Sequence, residues 1–295
     1  MYYIKFMPEL PEVEITKEKL KKLINKKIIG FWTDLPKAIL NLKKNSISKD
    51  ILNQKIKDIK RKGKAVLIYL EKSKNETLLA IHQRMSGRFI IKNKNEKILP
   101  SKYVHLKILF NDKSELWFED QRKFGTIWYG SEKDVLNQKY FKNLGKDAHN
   151  INFNDFYKII SEKNASIKSV LLNQKNLSGL GNAYSDEALW LSKIHPKQIA
   201  KNLNKNEIKK LWKAIKMVLN KGIKLQGISM RNWLHPDGEK GKMQENFNVY
   251  QQKNCKKCGS KIQKIKIASR NSNFCPNCQK LINLNLKSKN KNSKE

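Results

Sequence analysis

Met7-Pro8-Glu9-Leu10-Pro11-Glu12-Val13-Glu14 sets a proline directly behind an internal methionine and a carboxylate directly behind the proline. Proline suits the first turn of a helix. From residue 12 to about 25 the apolar residues Val13, Leu20, Leu23 and Ile24 fall on one stripe, which predicts a helix opening the first domain. The same residues carry chemistry if the chain begins at Pro8 after loss of Met7, because its first nitrogen is then a secondary amine. An α-amino group is about 10% neutral at pH 7, a lysine about 0.04%, and only the neutral amine attacks carbonyl-type carbon. A proline nitrogen yields a permanently cationic iminium, and Glu9 lies within reach as proton donor or acceptor. The plainer alternative is that Pro8 or Pro11 only starts the helix.

Beyond this helix the period changes. Seven β-branched and aromatic runs, at 28–33, 56–60, 65–70, 77–81, 104–110, 116–118 and 126–129, are parted by Gly, Asn, Asp and Ser and predict a β-sandwich. Lys64 follows Arg61-Lys62-Gly63 where a strand begins, which would hold its ammonium at a sheet end; in so lysine-rich a chain it also reads as an ordinary solvated side chain. His82-Gln83-Arg84-Met85-Ser86-Gly87 and Asp120-Gln121-Arg122-Lys123-Phe124-Gly125 each end a strand in a turn that presents an apolar side chain beside cations. That pairing suits entry into a base stack, although Met85 and Phe124 taken singly also read as core residues.

A polar stretch at 131–150 reads as a hinge, after which the periodicity turns helical at 153–162, 167–174, 182–192 and 206–221. Leu177-Ser178-Gly179-Leu180-Gly181-Asn182 is a glycine turn opening one of these helices, a place where backbone amides bind phosphate and also a common structural turn. The long connection at 227–247 holds Ser229-Met230-Arg231-Asn232-Trp233, and a loop of that length is expected to be functional or mobile.

All four cysteines lie near the C-terminus as Cys255-x2-Cys258, sixteen residues, Cys275-x2-Cys278. Four thiolates at this spacing suit one tetrahedral structural zinc ion, with two knuckles on a β-hairpin and no open position for catalysis. Arg270 falls near the hairpin tip between the knuckles, where it would enter a groove or grip a phosphate. The net charge of +36 points to a polyanionic partner, with part of the lysine excess attributable to AT-rich coding. No run of 18 apolar residues is present, and 1–6 lacks the features of a signal peptide. Clustered cysteines fit a reducing, cytoplasmic setting.

In this order, from the Pro-Glu-Leu-Pro-Glu-Val-Glu start to Cys275-Pro276-Asn277-Cys278-Gln279-Lys280, the motifs resemble the formamidopyrimidine-DNA glycosylase family, bacterial enzymes that remove oxidised purines and nick the strand. The resemblance implies an α+β chain with a catalytic β-sandwich and flanking helices at 7–130, a hinge at 131–150, a helix–two-turn–helix domain with a capping loop at 151–246, and a zinc finger at 247–283. A disordered tail at 284–295 and a non-native extension at 1–6 complete the expected organisation. It implies Pro8 as Schiff-base nucleophile, Glu9 as its acid/base partner, and Lys64 and Arg270 at the catalytic site. Met85, Arg122 and Phe124 match the residues that fill the gap left by an extruded base. Lys168, Asn182, Tyr103 and His105 complete the expected DNA contacts. The expected partner is double-stranded DNA with oxidised bases, bound by a monomer at the bacterial nucleoid in the cytoplasm, with no membrane. The sister endonuclease VIII-like branch, which prefers oxidised pyrimidines, usually has glycine where this chain has Leu10. A DNA-binding protein with a blocked terminus and no catalysis is the other alternative.

Overall fold

Helix α1 (Leu10–Leu20) begins where the Pro-Glu motif ends, and a 3-10 turn (Lys21–Leu23) extends it. Glu9 is its N-cap and forms a capping box with Glu12, the Glu9 N–H donating to Glu12 Oε2 at 2.9 Å. Orphan amides at a helix start need such acceptors. The structure is a computed structural model that describes residues 7–35, 39–41, 46–73, 75–229 and 233–282. The expected extension at 1–6, Met230-Arg231-Asn232 of the capping loop and the tail at 284–295 lie outside the described residues.

The described residues fall into two units, those of Met1–Asp147 with Leu219–Asn246, and those of Ala148–Val218 with Phe247–Glu295. In the first, two sheets face each other. Strands β1 (Ile28–Thr33), β7 (Val104–Phe110), β8 (Glu115–Asp120) and β6 (Gly87–Lys92) form one sheet in that order. The other runs β2 (Ile39–Asn41), β9 (Thr126–Gly130), β5 (Asn75–His82), β4 (Ala65–Lys72) and β3 (Lys55–Lys62). Within these two sheets, among the described residues, only the β2–β9 pair is parallel. Inward-facing Ile59, Ile68, Leu79 and Ile81 of one sheet meet Phe89, Leu106, Ile108 and Phe118 of the other, with Val13, Leu20 and Leu23 of α1 in the same core. The sandwich is therefore as the alternation predicts, with β2 and β6 in addition. Strand β6 escapes a reading that ended its hairpin at Gly87, although its burial alternates along its length.

The stretch expected as a polar hinge is built differently up to residue 147. Helices α3 (Glu132–Leu136) and α4 (Lys139–Lys142) carry Val135, Tyr140 and Phe141, which with Leu144 cover the outer face of β4, β5 and β9 around Ala65, Leu67, Leu78, Ala80 and Trp128. A short helix α2 (Ile47–Asp50) completes the helices before α3. Residues 219–246, expected in the helical domain, group with the first unit for identifiable reasons. The Ile228 N–H donates to Glu12 Oε1 at 2.8 Å, Lys19 pairs with Asp237 and Glu239 at 2.6 Å each, and the Ile91 N–H donates to Pro236 O at 2.7 Å. Both flanks of the capping loop are thus bonded to α1 and β6.

The second unit holds α5 (Phe153–Ser161), α6 (Ile167–Leu172), α7 (Asn182–Leu191) and most of α8 (Lys205–Lys224), close to the predicted spans, and the hairpin Gln263–Ile267 with Arg270–Phe274. Its centre is an ion pair that periodicity does not reveal. Lys168 is 0% exposed, and its Nζ lies 2.5 Å from Asp186 Oδ1, 2.7 Å from Ser185 Oγ and 2.9 Å from Asn182 O. The same Asp186 carboxylate accepts from Ser272 Oγ at 2.6 Å, Asn273 N–H at 2.8 Å and Asn273 Nδ2 at 2.9 Å. One buried carboxylate therefore ties α6 to α7 and both to the finger hairpin. Removing one partner of such a pair leaves an uncompensated buried charge. Asp186→Ala should accordingly lower the unfolding free energy by about 3 kcal/mol, read as a reduced urea midpoint; a loss under about 1 kcal/mol would show that the pair is no node.

Candidate active site

Pro8 is buried ahead of α1 and Glu9 is 4% exposed, so the proposed nucleophile and its carboxylate sit at a capped, rigid helix start. Helix α1 is bound to the sheet through Arg61 at the end of β3. Its Nε donates to Glu14 Oε2 at 2.6 Å and its Nη1 to Asp147 Oδ2 at 2.7 Å, with only 7% of the side chain exposed. Burial pulls the Arg61 pKa down, but hydrogen bonds and charge from Asp147 and Glu14 outweigh it and the net shift is upward. Those bonds hold the β3–β4 turn, which carries Lys64 three residues on, with Lys64 8% exposed rather than solvated. Tyr140 supports the same turn from α4. Its hydroxyl accepts the Lys64 N–H at 3.1 Å, and its ring stacks on Trp128 and meets His82 edge-on.

His82 begins the first wedge turn. A backbone N–H can only donate, so the Arg84 N–H at 2.9 Å makes His82 Nδ1 an acceptor and fixes a neutral ring. Burial first, then the charges of Arg84 and Lys64, push the His82 pKa down to about 3. In the second turn Phe124 is 51% exposed. The Arg122 guanidinium lies 4.4 Å from the Phe124 ring centroid, and its Nη1 is 3.4 Å from Met85 Sδ. The structure thus brings together three residues that the sequence placed in two separate turns. Tyr103, half-buried under Lys102, gives its carbonyl to the Asp120 N–H at 2.8 Å.

Two residues expected as DNA contacts, His105 and Lys168, are buried. His105 is 4% exposed, with Nδ1 2.9 Å from Asp34 Oδ2 and Nε2 3.2 Å from Asp120 O, so it braces the second wedge turn from below. Lys168, expected on phosphate, is committed to Asp186, because an ammonium with no solvent access needs a local counter-charge. Asn182 and Arg270 are both in the second unit, where Asn182 Nδ2 donates to Asn271 O at 2.9 Å beside the exposed Arg270. Arg270 follows a two-residue hairpin turn with Ala268 and Ser269 at positive φ.

The four cysteine sulfurs lie within 4.8 Å of one another, with separations of 3.9 Å for Cys255–Cys278, 3.4 Å for Cys258–Cys275 and 3.6 Å for Cys258–Cys278. Zinc–sulfur bonds of about 2.3 Å in a tetrahedron require about 3.8 Å between sulfurs. The donor set therefore fits one structural zinc ion, held by Cys255, Cys258, Cys275 and Cys278. Trp190 Nε1 of α7 donates to Cys255 Sγ at 3.4 Å, and Gln279 Oε1 accepts the Cys275 N–H at 2.9 Å. Sequence reading missed Glu12, Asp120 and Tyr140, which bond to the backbone of Glu9, Arg122 and Lys64, and Arg61 and His82, which brace the turns that carry Lys64 and Met85.

Two outcomes follow from this geometry. His82 has its pKa lowered in the folded state, so protons bind the unfolded chain first. Its contribution is level above about pH 6.5, and stability falls by up to about 1.4 kcal/mol per pH unit between about 6.5 and 3. His82→Asn, which keeps an acceptor near Nδ1, should flatten that part of a pH-dependent urea titration; an unchanged slope would exclude His82 as its source. Stripping zinc, or Cys275→Ser, should weaken duplex binding and raise hydrogen exchange at 263–274, and unaltered affinity without metal would make the finger dispensable.

Comparison with known proteins agrees with this geometry. Residues 7–127 match the formamidopyrimidine-DNA glycosylase N-terminal domain, 144–233 the formamidopyrimidine-DNA glycosylase H2TH domain, and 253–281 the zinc finger found in FPG and IleRS. The formamidopyrimidine-DNA glycosylase of Bacillus cereus is 35% identical over 282 residues, covering 94% of this chain and all of that protein. A Lactococcus lactis FPG variant in complex with Fapy-dG-containing DNA superposes with a TM-score of 0.84 at 34% identity, covering 92% of this chain and 100% of that one. The Lactococcus lactis Fpg in complex with DNA containing an abasic site gives 0.83 at the same identity, covering 92% and 99%. Three matched domains in this order, together with a relative 35% identical over its whole length, show that the chain belongs to the formamidopyrimidine-DNA glycosylase family.

Proposed function

We propose that the chain cuts oxidised purines, 8-oxoguanine and ring-opened formamidopyrimidines, out of duplex DNA and then nicks the strand, with the amine of Pro8 as nucleophile. The chain is a base-excision DNA glycosylase and AP lyase of its family. The observation that carries the reading is a buried proline and glutamate at a capped helix start, in the unit that also bears the Met85 and Phe124 turns.

Extruding the base costs a few kcal/mol of stacking. Met85, Arg122 and Phe124 fill the space it leaves. The Pro8 nitrogen attacks the sugar C1′, the glycosidic bond breaks, and the base departs with the bonding electrons and a proton. Loss of the amine proton and opening of the sugar ring give the iminium, with Glu9 as the group that moves protons. The iminium acidifies the C2′ proton; its removal expels the 3′ phosphate, and a second elimination expels the 5′ phosphate, leaving a one-nucleotide gap. Lys64, in the turn between β3 and β4, would act near the damaged nucleotide. Asn182 and Arg270 would hold phosphates, while His105 and Lys168 act behind the surface. We place the enzyme at the nucleoid in the bacterial cytoplasm, as a monomer; no described helix is long and apolar enough to cross a membrane.

This chemistry requires that the working chain begin at Pro8, since in any longer chain that nitrogen is an amide. The family match begins at residue 7, in keeping with that start. Intact mass of the protein from its own cells should therefore correspond to a chain starting at Pro8. That form should leave a borohydride-trapped covalent adduct with duplex DNA carrying 8-oxoguanine opposite cytosine, while Glu9→Gln binds the duplex with excision reduced by at least about 100-fold. A protein that retains Met1, or one that cuts thymine glycol but not 8-oxoguanine, would refute the proposal.

A further inference from the structure

Met85 and Phe124 stand on turns separated by 39 positions in sequence, yet the two turns share one support. Each presents its apolar side chain directly after a cation in the left-handed backbone region, Arg84 at φ 54° and Lys123 at φ 54°. Residues with a Cβ seldom take this conformation unless their surroundings impose it. Each turn then ends in a glycine packed on the same ring. A Cβ on Gly87 would come 2.7 Å from Phe118 Cζ and overlap Gln83 O, and one on Gly125 would come 2.8 Å from the Phe118 ring and 3.0 Å from Asp120 Oδ2. Nothing larger than hydrogen fits at either place.

Asp120, 2% exposed at the end of β8, joins the turns laterally. Its Oδ1 accepts the Ser86 hydroxyl from the first turn and the Arg122 N–H at 3.3 Å from the second, while Oδ2 accepts the Gly125 N–H at 2.6 Å. Ser86 Oγ in turn accepts the Arg122 N–H at 3.1 Å, so the link runs in both directions. Beneath it, His105 Nε2 meets Asp120 O.

From this we infer that Asp120 and Ser86 are positioning residues that clamp the two wedge turns into one unit, so that Met85, Arg122 and Phe124 enter the base stack together and not one after another. The inference rests on the reading of those three side chains as wedges. Neither Asp120 nor Ser86 touches the reacting atoms. Their bonds fix where the wedges stand before DNA arrives, and so lower the cost of ordering two loops at the moment of insertion.

The test uses the zinc-loaded chain beginning at Pro8 and a duplex with 8-oxoguanine opposite cytosine, carrying 2-aminopurine beside that cytosine to report unstacking. Ser86→Ala and Asp120→Asn should slow both the fluorescence rise and base excision by about tenfold, the scale of one lost hydrogen bond. Ser86→Thr, which keeps the hydroxyl, should restore both. The double variant should be no slower than Asp120→Asn alone, because both changes break one link. Zinc content and borohydride trapping on a single-stranded abasic oligonucleotide, which needs no wedge, should be those of the unsubstituted chain. If Ser86→Ala gives the unsubstituted fluorescence and excision rates while Met85→Ala slows both, the clamp is refuted and the wedges stand. If Met85→Ala and Phe124→Ala are also without effect, the wedge reading itself is refuted. Should Asp120→Asn fail to fold, Ser86→Ala and Ser86→Thr decide the matter alone.

Discussion

The Glu12 carboxyl, 0% exposed, accepts a backbone N–H on each oxygen, Glu9 on one side and Ile228 on the other. The position of Pro8 depends on this arrangement. On the proposed reading Pro8 is a terminal nucleophile with only one covalent neighbour to orient it, and termini fray unless tied down. Here the neighbour is a helix N-cap, and the helix is itself locked to β3 through Arg61 and Glu14. The same carboxyl reaches into the segment that follows α8, so the first turn of α1 and the residues around Ile228 share one anchor. Lys19 holds the loop's far side through Asp237 and Glu239.

Charge in this protein divides by burial into two kinds of work. The net charge of +36 is carried largely by exposed lysines, which attract a polyanion through long-range and salt-screened forces. Buried cations do something different. Lys168 and Arg61 have each lost most of their water and are paired with carboxylates and hydrogen-bond acceptors, so they hold elements together.

Two parts of the molecule face a shortage of core. The finger segment buries only a small apolar cluster, Val249, Ile262, Cys255 and Cys275, to which Trp190 of α7 adds a partly buried ring. Four thiolates around a metal supply the missing stabilisation, as they do in small domains generally. The wedge turns must expose apolar side chains to water, the reverse of what packing favours. They are supported by what lies under them, the Phe118 ring, the Asp120 carboxyl and His105, in addition to the contacts of Arg122 with Phe124 and Met85.

Much of the fold was legible because it is written in local period and spacing. Alternation gave the sandwich strands, a 3.6-residue stripe gave the helices of the second unit, and two Cys-x2-Cys pairs gave a tetrahedral donor set. Pro8 with Glu9, and Met85 and Phe124 with their flanking cations, were likewise visible as short motifs whose chemistry needs only neighbouring residues. The structure alone decided burial and partnership. It turned Lys168 and His105 inward, drew 219–246 to the first unit, and joined Asp120 to Ser86 and Glu12 to Ile228 across 34 and 216 positions. Desolvation and hydrogen bonding depend on what arrives from distant parts of the chain, and a linear pattern records only what each residue contributes, not what it will meet.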